Sequence, residues 1–490
     1  MIKLFFSYLL GGVATGLLDV VTTMLVTRMI SPEAYGQGMW FISLINILFC
    51  FCVIGMDQVF VRFFYETSYK KNLSLLFYRC LLLVFPCVAV VSIFLFCFWD
   101  DVMRWLKIDS TMIIPFFIID MILITLIRFL RLMTTLKERT TVYNLANFFE
   151  KLCSLVVFVI VFYFFTTGYW AIMMSQIISV AMLVLGLLLI YRKELVLPSR
   201  QWGELFEIKE TKAFLKFGTP SIFSLGLHLL FLNVDKFFIL QWSTYQELGI
   251  YTAAFALIGP LVLMESIFTT AWVPRLNHLL IHNPFKAKLT LSVTFEKLNF
   301  AMISLILILI LFKDELLLFI GPDFKQAGEV FPWLLFVPYF WALSEIVVAG
   351  VVKSKKSYWH IYFSGSALGV NILGCYLLIP LYGAIGAAIS VATSFGVFFL
   401  VRWHIAFRYY PFRINPFKLI PYVGFTCVYI VSSQYGILKY LLFLPFICIA
   451  IILERKWLVQ DLFSVINALS SKFVVDSDGL CAKPVAEYRP

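Results

Sequence analysis

Apolar residues in this chain gather into long blocks, separated by short polar stretches that hold most of the charge. A helix needs about 20 apolar residues to cross roughly 30 Å of hydrocarbon. That ruler predicts helices over about 4–29, 36–57, 75–98, 111–134, 144–166 and 169–191. After a polar stretch it predicts others over about 214–240, 249–273, 296–320, 328–350, 358–379, 382–404, 416–436 and 438–454. The pattern is that of an all-α polytopic membrane protein with about 14 transmembrane helices. The first block runs into Ser31-Pro32-Glu33, not into a small-residue cleavage site, so it reads as a retained helix and not as a signal peptide.

Charge orients the bundle. Alternate loops carry Arg62, Lys70 and Lys71, then Arg131, Lys137 and Arg139, then Arg192, Lys193, Arg200, Lys209 and Lys212. The series continues with Arg275, Lys286 and Lys288, with Lys353, Lys355 and Lys356, and with Arg408, Arg413 and Lys418. The intervening loops are poor in cations: Asp100, Asp101 and Asp109 outnumber Arg104 and Lys107, and 166–168 and 380–383 carry no charge. The excess of Lys and Arg on cytoplasmic loops then places the rich set and both termini in the cytoplasm. An even helix count is what that requires.

The two halves resemble each other. Tyr35-Gly36 aligns with Leu248-Gly249, an offset that also lays Arg62 on Arg275. At nearly the same offset, Thr167-Gly168-Tyr169-Trp170-Ala171 aligns with Tyr382-Gly383-Ala384-Ile385-Gly386. Six-helix repeats run in the same direction, related by an axis along the membrane normal. The expected organisation is an N-lobe at 1–191, a cytoplasmic linker at 192–213 and a C-lobe at 214–407. Two added helices would lie within 408–454, followed by a cytoplasmic tail at 455–490.

Composition agrees. Hydrophobic residues make up 62% of the chain and charged residues 14%, against roughly 25% charged in a soluble domain. That much apolar surface must face lipid. The net charge of +11 is spread over loops and forms no single basic patch, which excludes a nucleic-acid partner. Of ten cysteines, nine lie in or beside apolar blocks, only Cys481 sits in the polar tail, and no CxxC pair occurs. They read as buried small hydrophobes, not a metal or disulfide framework.

Three segments carry a family resemblance. The first is Leu25-Val-Thr-Arg-Met-Ile-Ser-Pro-Glu-Ala-Tyr-Gly36 with Gly55-Met-Asp-Gln-Val-Phe-Val-Arg-Phe-Phe-Tyr65. The second is Asn233-Val-Asp-Lys-Phe-Phe-Ile239 with Glu247-Leu-Gly-Ile-Tyr251 and Thr270-Ala-Trp-Val-Pro274. The third is Leu377-Leu-Ile-Pro-Leu-Tyr-Gly-Ala-Ile-Gly-Ala-Ala388. In this order, over residues 1 to about 410, the chain resembles the Wzx-type polysaccharide and O-antigen flippases of the multidrug/oligosaccharidyl-lipid/polysaccharide (MOP) exporter superfamily. The resemblance implies two six-helix lobes around a cavity that opens alternately to each side. It also implies an undecaprenyl-diphosphate-linked oligosaccharide as cargo, for surface polysaccharides such as O-antigen or capsule. The implied setting is the cytoplasmic membrane, with membrane lipids and a polysaccharide polymerase machinery as partners of a monomeric transporter.

A charge near mid-bilayer costs about 2.5–3.5 kcal/mol or more, so each one needs a partner or water. On the fourth predicted helix, Asp120, Arg128 and Arg131 fall within about 80° of one another at 100° per residue. Such a stripe suits a diphosphate moving along it; alternatively Arg128 and Arg131 snorkel to headgroups. Arg79, about one turn inside the third helix, divides the same way. Glu150 and Lys151 lie in the fifth helix. Asp235 and Lys236 are adjacent and splayed, so each must reach elsewhere, as a gate, a cavity lining or an interhelical ion pair. The candidate substrate-binding residues are Arg128, Lys236, Arg131, Arg79 and Asp235. Asp19, Glu265 and Glu345, acids well inside spans, are candidates for ion coupling or for salt bridges.

Pro220, Pro260 and Pro274 are candidate kinks, and Gly11, Gly12 and Gly16 allow close helix packing. Trp40, Trp272 and Tyr251 are candidates for stacking on sugar rings. His228, His278, His282, His360 and His404 form no HExxH or other ligand spacing, and no Walker A, GxSxG or dinucleotide fingerprint appears. Neither catalysis nor a metal or cofactor is expected. Two alternatives to the flippase remain open: a multidrug or cation antiporter of the same superfamily, and a membrane polymerase or glycosyltransferase.

Overall fold

The computed structural model describes residues 2–65, 72–98, 113–165, 168–198, 202–354, 358–412 and 419–433, with a few isolated positions besides. Every regular element among them is helical. The helix expected at 438–454, the tail at 455–490, Cys448, Cys481 and several loop cations (Lys70, Lys71, Lys107, Arg200, Lys355, Arg413 and Lys418) lie outside the described residues. The chain falls into two compact units, 1–295 with 312–414, and 296–311 with 415–490.

The first unit opens with α1 (Ile2–Met29), α2 (Pro32–Val53), α3 (Met56–Phe64), α4 (Leu73–Cys97), α5 (Ile113–Leu136), α6 (Thr140–Phe164) and α7 (Tyr169–Tyr191). Its later part holds α8 (Ile208–Phe231), α9 (Val234–Trp242), α10 (Tyr245–Leu257), α11 (Gly259–His282) and the start of α12 (Pro284–Leu311). It continues with α13 (Ala327–Leu334), α14 (Phe336–Val347), α15 (Ala349–Ser354) and α16 (Trp359–Tyr409). The second unit contains the end of α12 and, among its described residues, α17 (Leu419–Ser432).

Nine helices among the described residues are long and apolar enough to cross a membrane, ten if α10 and α11, bent by 52°, make one span. Pro260 stands at the head of α11, where its fixed φ suits a helix start and its missing N–H breaks the ladder behind it. The 51-residue α16 holds the two spans expected at 358–379 and 382–404. They fold back on each other at Gly383, whose φ of 54° and ψ of −129° only glycine adopts readily. Ser390 Oγ therefore reaches Asn371 Oδ1 at 2.9 Å across the hairpin.

Two ends of the bundle are fixed by contacts within the first unit. At one, the basic loops meet: Lys137 and Arg139 both bond Glu194, and Lys353 and Lys356 lie over the rings of Tyr410 and Tyr409. At the other, Ser31 caps α2, accepting from Ala34 N at 3.3 Å, and Thr244 caps α10 in the same way through Glu247 N. These two helix starts touch. A Cβ on Gly36 would lie 2.1 Å from Tyr245 O, and one on Gly249 1.8 Å from Pro32 O. The glycines that align in the sequence repeat thus face each other across the seam between the halves. Gly168 and Gly383, the second aligned pair, both have positive φ, at 106° and 54°.

Candidate functional site

The seam is sealed at the end away from the basic loops. Thr27 Oγ1 accepts from Gly321 N at 3.1 Å, Arg28 donates to Leu318 O at 2.7 Å, and the rings of Tyr35 and Phe324 meet edge to face at 5.7 Å. Further along, Gly16 of α1 sits against Leu263 of α11. Beyond that point α11 opens: from Ser266 to His282 only Trp272, Leu276 and Leu280 are buried, a single stripe. Ser266, Thr270 and Arg275 are among the exposed positions. Ile267, Val273 and Ile281 are exposed there as well. The halves are therefore closed at the cation-poor end, and towards the basic loops α8 still meets α3, with the Phe63 and Phe214 rings 4.6 Å apart and Arg62 over the Phe217 ring at 4.2 Å.

A broken helix lies beside the seam. Between α8 and α9 the ladder is interrupted at Leu232-Asn233, and neighbours satisfy the freed groups: Asn371 Nδ2 donates to Phe231 O at 3.3 Å, Asn233 Nδ2 to Leu229 O at 2.9 Å. The break aims the next two residues apart. Asp235, 2% exposed, accepts from the Tyr251 hydroxyl. Lys236 turns to the other half, where its Nζ donates at 3.0 Å to Ser43 Oγ of α2, and within its own half it donates at 3.0 Å to Asn233 Oδ1. Its ammonium is thus held by neutral oxygens, with its carboxylate neighbour engaged elsewhere.

The other cations arrive paired. Arg128 bonds Asp57 of α3 at 2.7 Å, Arg131 bonds Glu150, and Lys151 bonds Asp19 at 2.6 Å. Glu150 and Lys151 are splayed on α6, so one reaches α5 and the other α1, and α6 ties the two together. Asp120, fully buried, shares no bond with either arginine, and neither of its carboxyl oxygens has a hydrogen-bond partner among the described residues. The stripe on α5 is therefore not a ladder of bare cations. Asp57 is the partner that sequence reasoning missed, although it stands in the Gly55-Met-Asp57 segment quoted above.

Arg79 faces the linker. It is 2% exposed, donates to Glu204 O, and lies 3.6 Å from Glu210 and 3.9 Å from Glu207. In the second half, Glu345 pairs with Arg402 at 2.8 Å, and Arg402 also donates to Ser344 Oγ. Glu265 accepts from Thr269 Oγ1 at 2.7 Å. Arg402 escaped the sequence reading because it lies near the end of its predicted span, where a cation looks like an ordinary snorkelling residue. Arg402→Met leaves the largely buried Glu345 carboxylate without its cation and is expected to destabilise by about 3 kcal/mol, with recovery when Glu345→Gln is added. Thermal denaturation of the purified single and double variants checks this. Trp40, Trp272 and Tyr251 are at most 4% exposed and present no face to a sugar in this conformation.

The family model described as polysaccharide biosynthesis protein matches residues 1–280. The chain belongs to this family. No curated protein matches the sequence. Among solved structures, the chain is similar to lipid II flippase MurJ in an inward closed conformation, with a TM-score of 0.68 at 12% identity over 94% of this chain and 100% of that one. It is also similar to a multidrug resistance MATE family transporter of the MOP superfamily in an inward-facing conformation, with a TM-score of 0.55 at 14% identity over 81% and 93%. The Vibrio cholerae MATE transporter VcmN in its bent form gives 0.53 at 15% identity over 84% and 98%. This family member shares its fold with these solved transporters, and the expected all-α polytopic architecture stands.

Proposed function

We propose that this protein is a flippase that carries undecaprenyl-diphosphate-linked oligosaccharide across the cytoplasmic membrane by alternating access. The observation that carries the reading is Lys236: a cation bonded to neutral oxygens at the seam of the two halves. With those loops in the cytoplasm, cargo enters from the inner leaflet and its diphosphate exchanges for Ser43 and Asn233 on the ammonium. Rocking of the halves then opens the sealed end, and no covalent bond is made or broken. The domain boundaries read from the sequence serve as the moving parts, N-lobe 1–191 and C-lobe 214–407, joined by 192–213. The protein acts as a monomer and hands its cargo to polymerase machinery.

Arg128 and Arg131 serve the path by exchanging Asp57 and Glu150 for phosphate as the headgroup passes. Ion coupling falls first on Glu265, which has no cation partner among the described residues, whereas Asp19 and Glu345 are paired. That same carboxylate favours the second reading, a cation antiporter. Deletion in a host that builds its polymer from lipid-linked repeats distinguishes the two. A flippase mutant accumulates repeat units trapped on the inner leaflet; unchanged lipid-linked pools with lost resistance to cationic drugs would favour the antiporter.

A further inference from the structure

A groove on the flank of the first half belongs to no step described so far. Phe77, Leu81 and Phe85 of α4 and Leu188 of α7 form its walls, and Leu195 and Leu205 of the linker form its roof. It encloses about 740 Å³, within the range of roughly 300–1,000 Å³ that small-molecule sites occupy. The lining is almost wholly apolar, and its one cation is Arg192 at the mouth. Arg192 and its neighbour Lys193 are exposed, and neither makes an ion pair or side-chain hydrogen bond among the described residues. The roof is built, not draped: Arg79, buried below it, grips Glu204 O and lies within 4 Å of Glu207 and Glu210.

The feature recurs. In the second half a groove of about 830 Å³ lies between the start of α12, the end of α16 and the segment that follows it. Phe285, Leu289, Phe407 and Phe412 line it, and Lys288 is its cation. The third helix, the end of the sixth helix and the segment after it frame the groove in each repeat. Both lie at the end where the basic loops meet. Leu126 of α5 reaches the first groove, whereas Arg128, 200° further round the helix, turns to Asp57. The groove thus faces away from the Arg128–Asp57 pair, and a pair of flank sites does not suit a single cargo.

We infer that the groove roofed by the linker holds an acyl chain of an anionic glycerophospholipid, with the phosphate on Arg192 and Lys193. Hydrocarbon fills the apolar volume, and the phosphate gives the two unpaired cations their counter-charge. A chain wedged there braces the segment that joins the lobes, so lipid composition sets how freely they rock. The inference takes its choice of leaflet from the orientation proposed above, but its test does not depend on transport.

The test is photolabelling of the full-length protein in nanodiscs containing phosphatidylglycerol or phosphatidylcholine, each with a diazirine on one acyl chain. The expected result is labelling of peptides spanning Phe77–Phe85 and Leu188–Leu205, with phosphatidylglycerol favoured by about fivefold for each cation. Arg192→Gln with Lys193→Gln should remove that preference, and Leu188→Trp, which fills the groove, should remove the labelling for both lipids. Equal labelling by the two lipids, or labelling spread evenly over the lipid-facing helices, overturns the inference. Displacement of phosphatidylglycerol by undecaprenyl phosphate at equal mole fraction also overturns it, by making the groove a site for the cargo's tail.

Discussion

Gly249→Ala is expected to cut polymer output by about tenfold or more while the protein still inserts and purifies normally. The added methyl would stand 1.8 Å from Pro32 O and 2.7 Å from Pro32 C. Those are backbone atoms of a capped helix start, so no side chain can swing away, and α2 and α10 must separate. Overpacking of this kind costs about 1–3 kcal/mol, and here the cost falls on the sealed conformation alone. A two-state equilibrium biased by that much shifts about 5- to 150-fold. Gly36→Ala, against Tyr245 O, should act in the same direction. Gly186 is the control, because a Cβ there has nothing within 4 Å. Polymer output from the three variants, normalised to protein in the membrane, checks this. Wild-type output from Gly249→Ala would show that the seam need not close as described.

Lys236→Met has the second large expected effect, a loss of transport of about 10- to 150-fold, matching about 1.5–3 kcal/mol for a hydrogen bond to a charged group. The comparison that gives this meaning is Ser43→Ala. It removes one of the two oxygens holding the ammonium and leaves the charge in place. A cation that binds phosphate tolerates that loss, whereas a cation that merely pins the halves together does not. Transport close to wild type in Ser43→Ala, beside near-complete loss in Lys236→Met, is the expected pattern. Equal losses in both would reduce Lys236 to a structural latch. Melting temperatures of the purified variants separate lost transport from lost fold.

The sequence disclosed much of the fold and less of the site, for physical reasons. A membrane span must be apolar for a fixed length, so hydropathy alone located 169–191 to the residue and most other spans to within a few. Breaks inside spans leave little trace in hydropathy. The interruption at Leu232-Asn233, the left-handed Ile54-Gly55 between α2 and α3, and the bend ahead of Pro260 all sit within apolar stretches. The helix expected at 296–320 instead begins at Pro284, because its first turns carry Lys286, Lys288 and Glu296 and look like loop. The aligned glycines were visible as a repeat, but not as partners. Their contact follows from the symmetry itself, which brings equivalent points of two helices together near its axis.

Cations fared differently from their partners. A charge in an apolar block is conspicuous, so Arg128, Arg131, Lys236 and Glu345 could be named from the sequence. What neutralises each depends on which helices pack side by side. Arg128 and Asp57 lie 71 residues apart, Glu345 and Arg402 57 apart. No local pattern encodes such pairs. The expectation of a cation-lined crevice therefore gives way to ion pairs, with Lys236 the exception.

The most direct test of the account is reconstitution of the purified protein into liposomes carrying an undecaprenyl-diphosphate-linked oligosaccharide. The fraction of sugar open to a membrane-impermeant oxidant added outside is then measured over time. The account predicts that the inner-leaflet sugar becomes accessible with wild-type protein and stays protected with Lys236→Met. Inner-leaflet sugar that stays as protected with wild-type protein as in protein-free liposomes would contradict it.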